Sequence, residues 1–231
     1  ARIHFEIDSR RVGVIGHSEG GLIGPMVALH DDKLAFVVML AGPGVIGYEL
    51  LGLQQGLHFE SAGANKEIVD KIVHASLSLY EMMQGGASNV ELLPQMEKLV
   101  SLQLAAQELQ FTEAEFAQTV EEGLEAMALP WMQFFLFYDP LPTLEKVSCP
   151  VLAMNGTKDM QVSASQNLTA IESLKTDYGN DITIVKLEGL NHLFQPAITG
   201  AISEYSQIET TFDPEALQIM GEWIKEITDG N

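Results

Sequence analysis

Three residues far apart in the chain carry the chemistry of a hydrolytic relay: Ser18, Asp159 and His192. A serine hydroxyl is a poor nucleophile at neutral pH. It needs an imidazole to take its proton, and the imidazole needs a carboxylate to hold its tautomer and stabilise the imidazolium. Ser18 lies in Gly16-His17-Ser18-Glu19-Gly20, with an apolar β-branched run before it and a helix-like stretch to His30 after it. Strand, sharp turn and helix in that order force the serine into a strained backbone conformation and lift its hydroxyl above the sheet. Gly16 and Gly20 read as steric requirements of that turn. The helix start points free N–H groups at the site, so the backbone N–H of Glu19 is predicted to be an oxyanion donor.

The partners are read by elimination. His192 is the only histidine after residue 74 and follows a strand-like run directly, in Glu188-Gly189-Leu190-Asn191-His192. Asp159 ends the loop Gly156-Thr157-Lys158-Asp159 after another apolar run. Its competitors are less well placed: Asp139 precedes Pro140 at a chain re-entry, and Asp177 and Asp181 flank the wrong end of the last strand. His17 points away if Ser18 points up, so packing or hydrogen-bond support is its expected role. His30 reads as a helix-end residue, and His58 and His74 as surface or packing residues. The Glu19 side chain is accounted for by a favourable place at a helix N-terminus. Cys149, before Pro150, reads as a small buried hydrophobe. No His/Cys/Asp/Glu cluster has metal-ligand spacing and no Gly-rich phosphate loop is present, so neither metal nor cofactor is expected.

The elements that must position these residues follow from periodicity. Residues 12–16 and 35–40 are apolar runs, as parallel strands buried on both faces require, and residues 151–155 read as a third strand. Residues 181–187 alternate more, as an edge strand should. A helix over 20–31 is expected to pack through Leu22, Ile23, Met26, Val27 and His30. Strand, helix and strand make a βαβ unit, hence a parallel sheet with helices on both faces. In such sheets sites form at the carboxyl ends of the strands, where Ser18, Asp159 and His192 all fall. Residues 45–138 break the alternation. Their helical spacing, with the capping boxes Ser88–Glu91 and Thr112–Glu115, predicts an inserted helical cap. Its Met, Leu and Phe residues serve chiefly as its own core. The core domain is then residues 1–44 with 139–231, ending in a helix capped by Asp213-Pro214 whose face is Leu217, Met220, Trp223, Ile224 and Ile227.

Composition narrows the partners. Acidic residues outnumber basic ones 32 to 12, a net charge of −20. This argues against nucleic acid and anionic membranes and disfavours strongly anionic substrates. No apolar run approaches the roughly 18–20 residues that cross a bilayer. A soluble protein, cytoplasmic or periplasmic, is expected; one cysteine does not separate the compartments.

With these residues in hand the chain resembles the α/β-hydrolases, in particular bacterial serine esterases near the dienelactone-hydrolase and S9-peptidase-like groups. The matching stretches are Gly16 to Ile23, Leu40 to Gly44, Phe135 to Pro140, Asn155 to Asp159 and Gly189 to Phe194. The order Ser, Asp, His along the chain is also theirs. The resemblance implies carboxylester hydrolysis through an acyl-enzyme, with Ser18, Asp159 and His192 as the triad and a small-molecule ester as partner. It also implies further strands ahead of the nucleophile strand, where only residues 1–11 stand here. The loop giving the second oxyanion N–H belongs to that part. The expectation is therefore a partial α/β-hydrolase fold, the C-terminal part of a longer enzyme. Weak or absent activity is expected, because one lost oxyanion donor costs on the order of 10²–10³ in turnover. Its open apolar sheet edge invites a homodimer. The competing readings are an S9-type peptidase or aminoacyl hydrolase, a thioesterase or acyltransferase, and a non-catalytic interaction module that keeps the fold.

Overall fold

Four short apolar runs become four parallel strands in the computed structural model, which describes residues 7–178 and 181–229 (the side chains of 175–178 excepted). They are β1 (Val14–His17), β2 (Val37–Leu40), β3 (Val151–Gly156) and β4 (Ile182–Leu187). They pair in chain order, with Val14 opposite Val37, Val37 opposite Val151 and Val151 opposite Ile182. The chain divides into two compact units, Ala1–Val45 with Asp139–Asn231, and Ile46–Tyr138.

In the first unit the period of two along β2 and β3 sorts side chains onto two faces. Val37, Met39, Val151 and Ala153 join Ala28, Leu168, Ile171 and Leu174 in one buried cluster. Those partners lie on α1 (Glu19–His30) and α8 (Ala164–Tyr178). Val38, Leu40, Leu152 and Met154 face the other way, against Phe194, Ala216 and the apolar side of α9 (Pro214–Asp229). A strand covered on both faces favours apolar residues, which is why residues 37–40 and 151–154 are uninterrupted; Asn155 at the end of β3 is buried and donates to Val162 O at 2.8 Å. Asp213 caps α9 by accepting the N–H groups of Glu215 and Ala216 at 2.8 and 3.2 Å. Trp223 of α9 donates its Nε1–H to Thr183 Oγ1 at 3.1 Å.

Three expectations change. β1 is the open edge strand expected, but it is not buried on both faces: Ile15 is 49% exposed and His17 is exposed. The buried face of α1 is Gly21, Leu22, Gly24, Pro25 and Ala28, while Ile23 and Val27 face outward. Small residues let α1 lie close on the sheet, where a Cβ on Gly24 would sit 3.2 Å from Val37. On α9, Leu217 is exposed and Ile219 joins the cluster in its place.

The second unit is wholly helical among the described residues: α2 (Gly47–Ser61), α3 (Lys66–Gln84), α4 (Asn89–Ala106), α5 (Glu113–Ala128) and α6 (Pro130–Phe137). Both capping boxes form. Ser88 and Thr112 donate their N–H to Glu91 and Glu115 at 2.8 and 2.7 Å, respectively. The hydrogen bonds from Ser88 hold the Glu91 carboxyl below its ordinary pKa, and those from Thr112 do the same for Glu115. Its Leu, Met and Phe side chains pack on one another around Ile72, Leu79 and Leu99. Burial there pushes the Tyr80 phenol up to about 12. The short helix α7 (Leu141–Leu144) returns the chain to the first unit, its start capped by Asp139, which accepts the Leu141 N–H at 3.0 Å. No described helix is long and apolar enough to cross a membrane.

Candidate active site

Ser18 joins β1 to α1 with no residue to spare. Its φ of 55° and ψ of −120° place a non-glycine residue in the left-handed half of backbone space, a conformation that costs on the order of 1–3 kcal/mol. Two hydrogen bonds hold it there: the Ser18 N–H donates to Leu40 O, and the Gly21 N–H to Ser18 O, both at 2.8 Å. The turn is tight enough that a Cβ on Gly16 would collide with the carbonyl of Gly20. Gly20 itself is different from expectation, since a Cβ there meets nothing within 4 Å. The second glycine requirement falls on Gly21, whose Cβ would lie 2.6 Å from Gly42 Cα. Gly16→Ala is therefore expected to cost about 3 kcal/mol, whereas Gly20→Ala should be neutral or stabilising by up to about 1 kcal/mol. Urea unfolding of the two variants checks the contrast. Glu19 opens α1, so its backbone N–H belongs to the first-turn donors that have no intrahelical partner.

Asp159 stands in the turn after β3. Its side chain is fully buried and its oxygens divide the work. Oδ1 accepts the N–H groups of Gln161 and Val162, both at 2.8 Å. Oδ2 faces His192 Nδ1 at 2.9 Å. The carboxylate can only accept, so in the neutral imidazole the proton sits on Nδ1 and the lone pair on Nε2.

His192 is 4% exposed, in the loop after β4. The loop is braced by Asn191, a fully buried residue. Asn191 Oδ1 accepts the N–H groups of Leu193 and Gln195 at 2.9 and 3.0 Å, and its amide donates to Gln195 Oε1 at 2.9 Å. Phe194 takes a φ of 59° and is fully buried, stacked on Phe212 with ring centroids 5.0 Å apart. The loop lies against the end of β3: Lys158 N–H donates to Leu190 O at 2.9 Å, and a Cβ on Gly156 would collide with that same carbonyl. His17 meets the loop from β1, its ring centroid 4.6 Å from that of His192.

Asp159 and His192 are thus directly paired, and His192 touches the residue next to Ser18. The other candidates lie elsewhere. Asp139 caps α7, and Asp181 accepts the Val151 N–H through its carbonyl at the amino end of β3. The Asp177 side chain falls outside the described residues. His58 and His74 are exposed on helices of the second unit, and His30 is exposed at the end of α1. Cys149 is half-buried, and burial pushes its thiol up, the opposite of an activated nucleophile. Sequence reasoning did not single out Asn191, Gln195 or Phe194 as supports. Asn191 carried a signal, because a turn asparagine commonly accepts N–H groups two residues on.

No family model matches the chain, and no curated protein matches it. Among solved structures it is similar to a carboxylesterase from Nitrososphaera gargenis (17% identity, TM-score 0.44, 95% of this chain and 66% of that one). It is also similar to an esterase from Pyrococcus furiosus (14% identity, TM-score 0.42, 93% of this chain and 52% of that one). A third is an acylaminoacyl peptidase from Pyrococcus horikoshii (16% identity, TM-score 0.39, 83% of this chain and 21% of that one). The chain spans 21% to 66% of the lengths of these three proteins. By its own architecture, a parallel sheet with helices on both faces and a strained serine turn at the carboxyl end of β1, the chain has a partial α/β-hydrolase fold.

Proposed function

We propose that the chain is the triad-bearing part of a serine carboxylesterase that hydrolyses neutral esters of short to medium acyl chains. The observation that carries this reading is the buried 2.9 Å pairing of Asp159 Oδ2 with His192 Nδ1, in a loop that meets His17, the residue before a serine held at a φ of 55°. In the reaction Ser18 Oγ attacks the ester carbonyl while His192 Nε2 takes the hydroxyl proton. Asp159 stabilises the resulting imidazolium. The negative charge on the former carbonyl oxygen is met by the Glu19 N–H at the start of α1. Collapse of the tetrahedral intermediate breaks the ester C–O bond, and His192 returns the proton to the departing alcohol. Water then attacks the acyl-serine by the same route and releases the acid.

A fluorophosphonate probe and two substrates test the reading. Peptide mapping by mass spectrometry is expected to find the adduct on Ser18, and p-nitrophenyl butyrate is expected to be hydrolysed faster than peptide anilides. An intact fold without an adduct would sink the enzyme reading. Faster cleavage of amides would replace the esterase with a peptidase.

A further inference from the structure

The geometry points to His17 as a positioning residue that holds the imidazole of His192 in register with Ser18. The role rests on the triad proposed above and starts from the sheet order. β1 and β4 are its two outer strands. Three steps of about 4.8 Å separate them by about 14 Å. Ser18 follows the first and His192 the last, so the loop after β4 must reach back over the ends of β3 and β2. Its other supports stop short of β1. Asn191 braces the loop internally, Leu190 O is held by Lys158, and the His192 ring is held by Asp159. His17 supplies the tie from the serine's side: its Nε2 lies 2.8 Å from the carbonyl oxygen of His192.

A backbone carbonyl only accepts, so Nε2 of His17 carries the proton and donates. The donor is on the residue before Ser18 and the acceptor is the backbone of His192 itself. The two catalytic segments are thereby joined with a single peptide unit of slack on the serine side. Phe194 adds its ring edge against His17 with centroids 6.3 Å apart. Without His17 the imidazole keeps its bond to Asp159 but can swing about it, and a displacement of about 1 Å costs on the order of 100-fold in rate. The effect falls on the proton-transfer step rather than on substrate binding, because the tie acts on the backbone of His192, the residue that takes the proton.

His17→Ala and His17→Gln, the latter keeping an N–H donor of similar reach, test the assignment. His17→Ala is expected to lower kcat for p-nitrophenyl butyrate by about 10- to 100-fold with KM within about twofold, and His17→Gln to recover most of the loss. In protein labelled with ¹⁵N-histidine, the His192 Nδ1–H resonance should exchange with water faster in His17→Ala and remain protected in His17→Gln. Unchanged kcat and exchange in His17→Ala, or equal damage in both variants, would overturn the role. Wild-type protein that neither hydrolyses the ester nor takes the probe would instead refute the esterase reading. The Nδ1–H exchange comparison would still decide the part played by His17.

Discussion

Replacing Ser18 by alanine is expected to lower kcat/KM toward p-nitrophenyl butyrate by about 10⁴- to 10⁶-fold and to abolish fluorophosphonate labelling. The serine turn is set by one residue with its own φ of 55° and ψ of −120°, and the substitution removes the hydroxyl it carries. Stability should respond differently from activity. Alanine keeps the Cβ that makes this conformation expensive, so Ser18→Ala relieves no strain. Ser18→Gly removes the Cβ, and the Leu40 carbonyl still holds the backbone N–H. Ser18→Gly should therefore be more stable than Ser18→Ala by about 1 kcal/mol, although both are inactive. Steady-state kinetics and urea unfolding on the three proteins measure both effects. Appreciable turnover in Ser18→Ala would refute the nucleophile assignment. A glycine variant less stable than the alanine one would mean that the turn stores no strain.

Much of this arrangement was legible in the sequence because it depends on local rules. Residues 35–40 and 151–154 read as strand because a parallel strand covered on both faces is built chiefly from apolar side chains. The Ser88–Glu91 and Thr112–Glu115 boxes read as helix starts because a capping box is contained within four consecutive residues. Ser18, Asp159 and His192 read as candidates because each follows a strand, and strand ends converge in parallel sheets. The parts that were not legible depend on approach between elements. Ile23 and Val27 look like the packing stripe of α1, yet the close contact of α1 with β1 and β2 selects Gly21, Gly24 and Ala28 instead. The glycine pattern pointed to Gly20, whereas Gly21 is the one crowded by Gly42 across the helix–strand junction. The tie from His17 to His192 spans 175 residues, and no local pattern carries such a pairing.

Asp159→Asn is expected to cost about 10⁴-fold in kcat at neutral pH with little loss of stability. The reason lies in how the carboxylate is divided. Oδ1 accepts two backbone N–H groups, from Gln161 and Val162, while Oδ2 faces His192 Nδ1. In an asparagine the amide oxygen must take the Oδ1 place, because an NH₂ there would confront two donors. The NH₂ then takes the Oδ2 place and donates to Nδ1 of His192. That bond moves the imidazole proton to Nε2, where a lone pair is needed to accept from Ser18, so the base is disabled in its ground state. Asp159→Ala acts in the opposite sense. It strands the two N–H groups, each at a cost of about 1–3 kcal/mol where water cannot replace the acceptor, but leaves His192 free to adopt either tautomer. The asparagine variant should therefore be the more stable and the less active of the two. Thermal unfolding and ester kinetics on the pair measure this directly. An alanine variant with lower kcat than the asparagine one would show that Asp159 acts by holding the turn and the imidazole in place and not by fixing the tautomer.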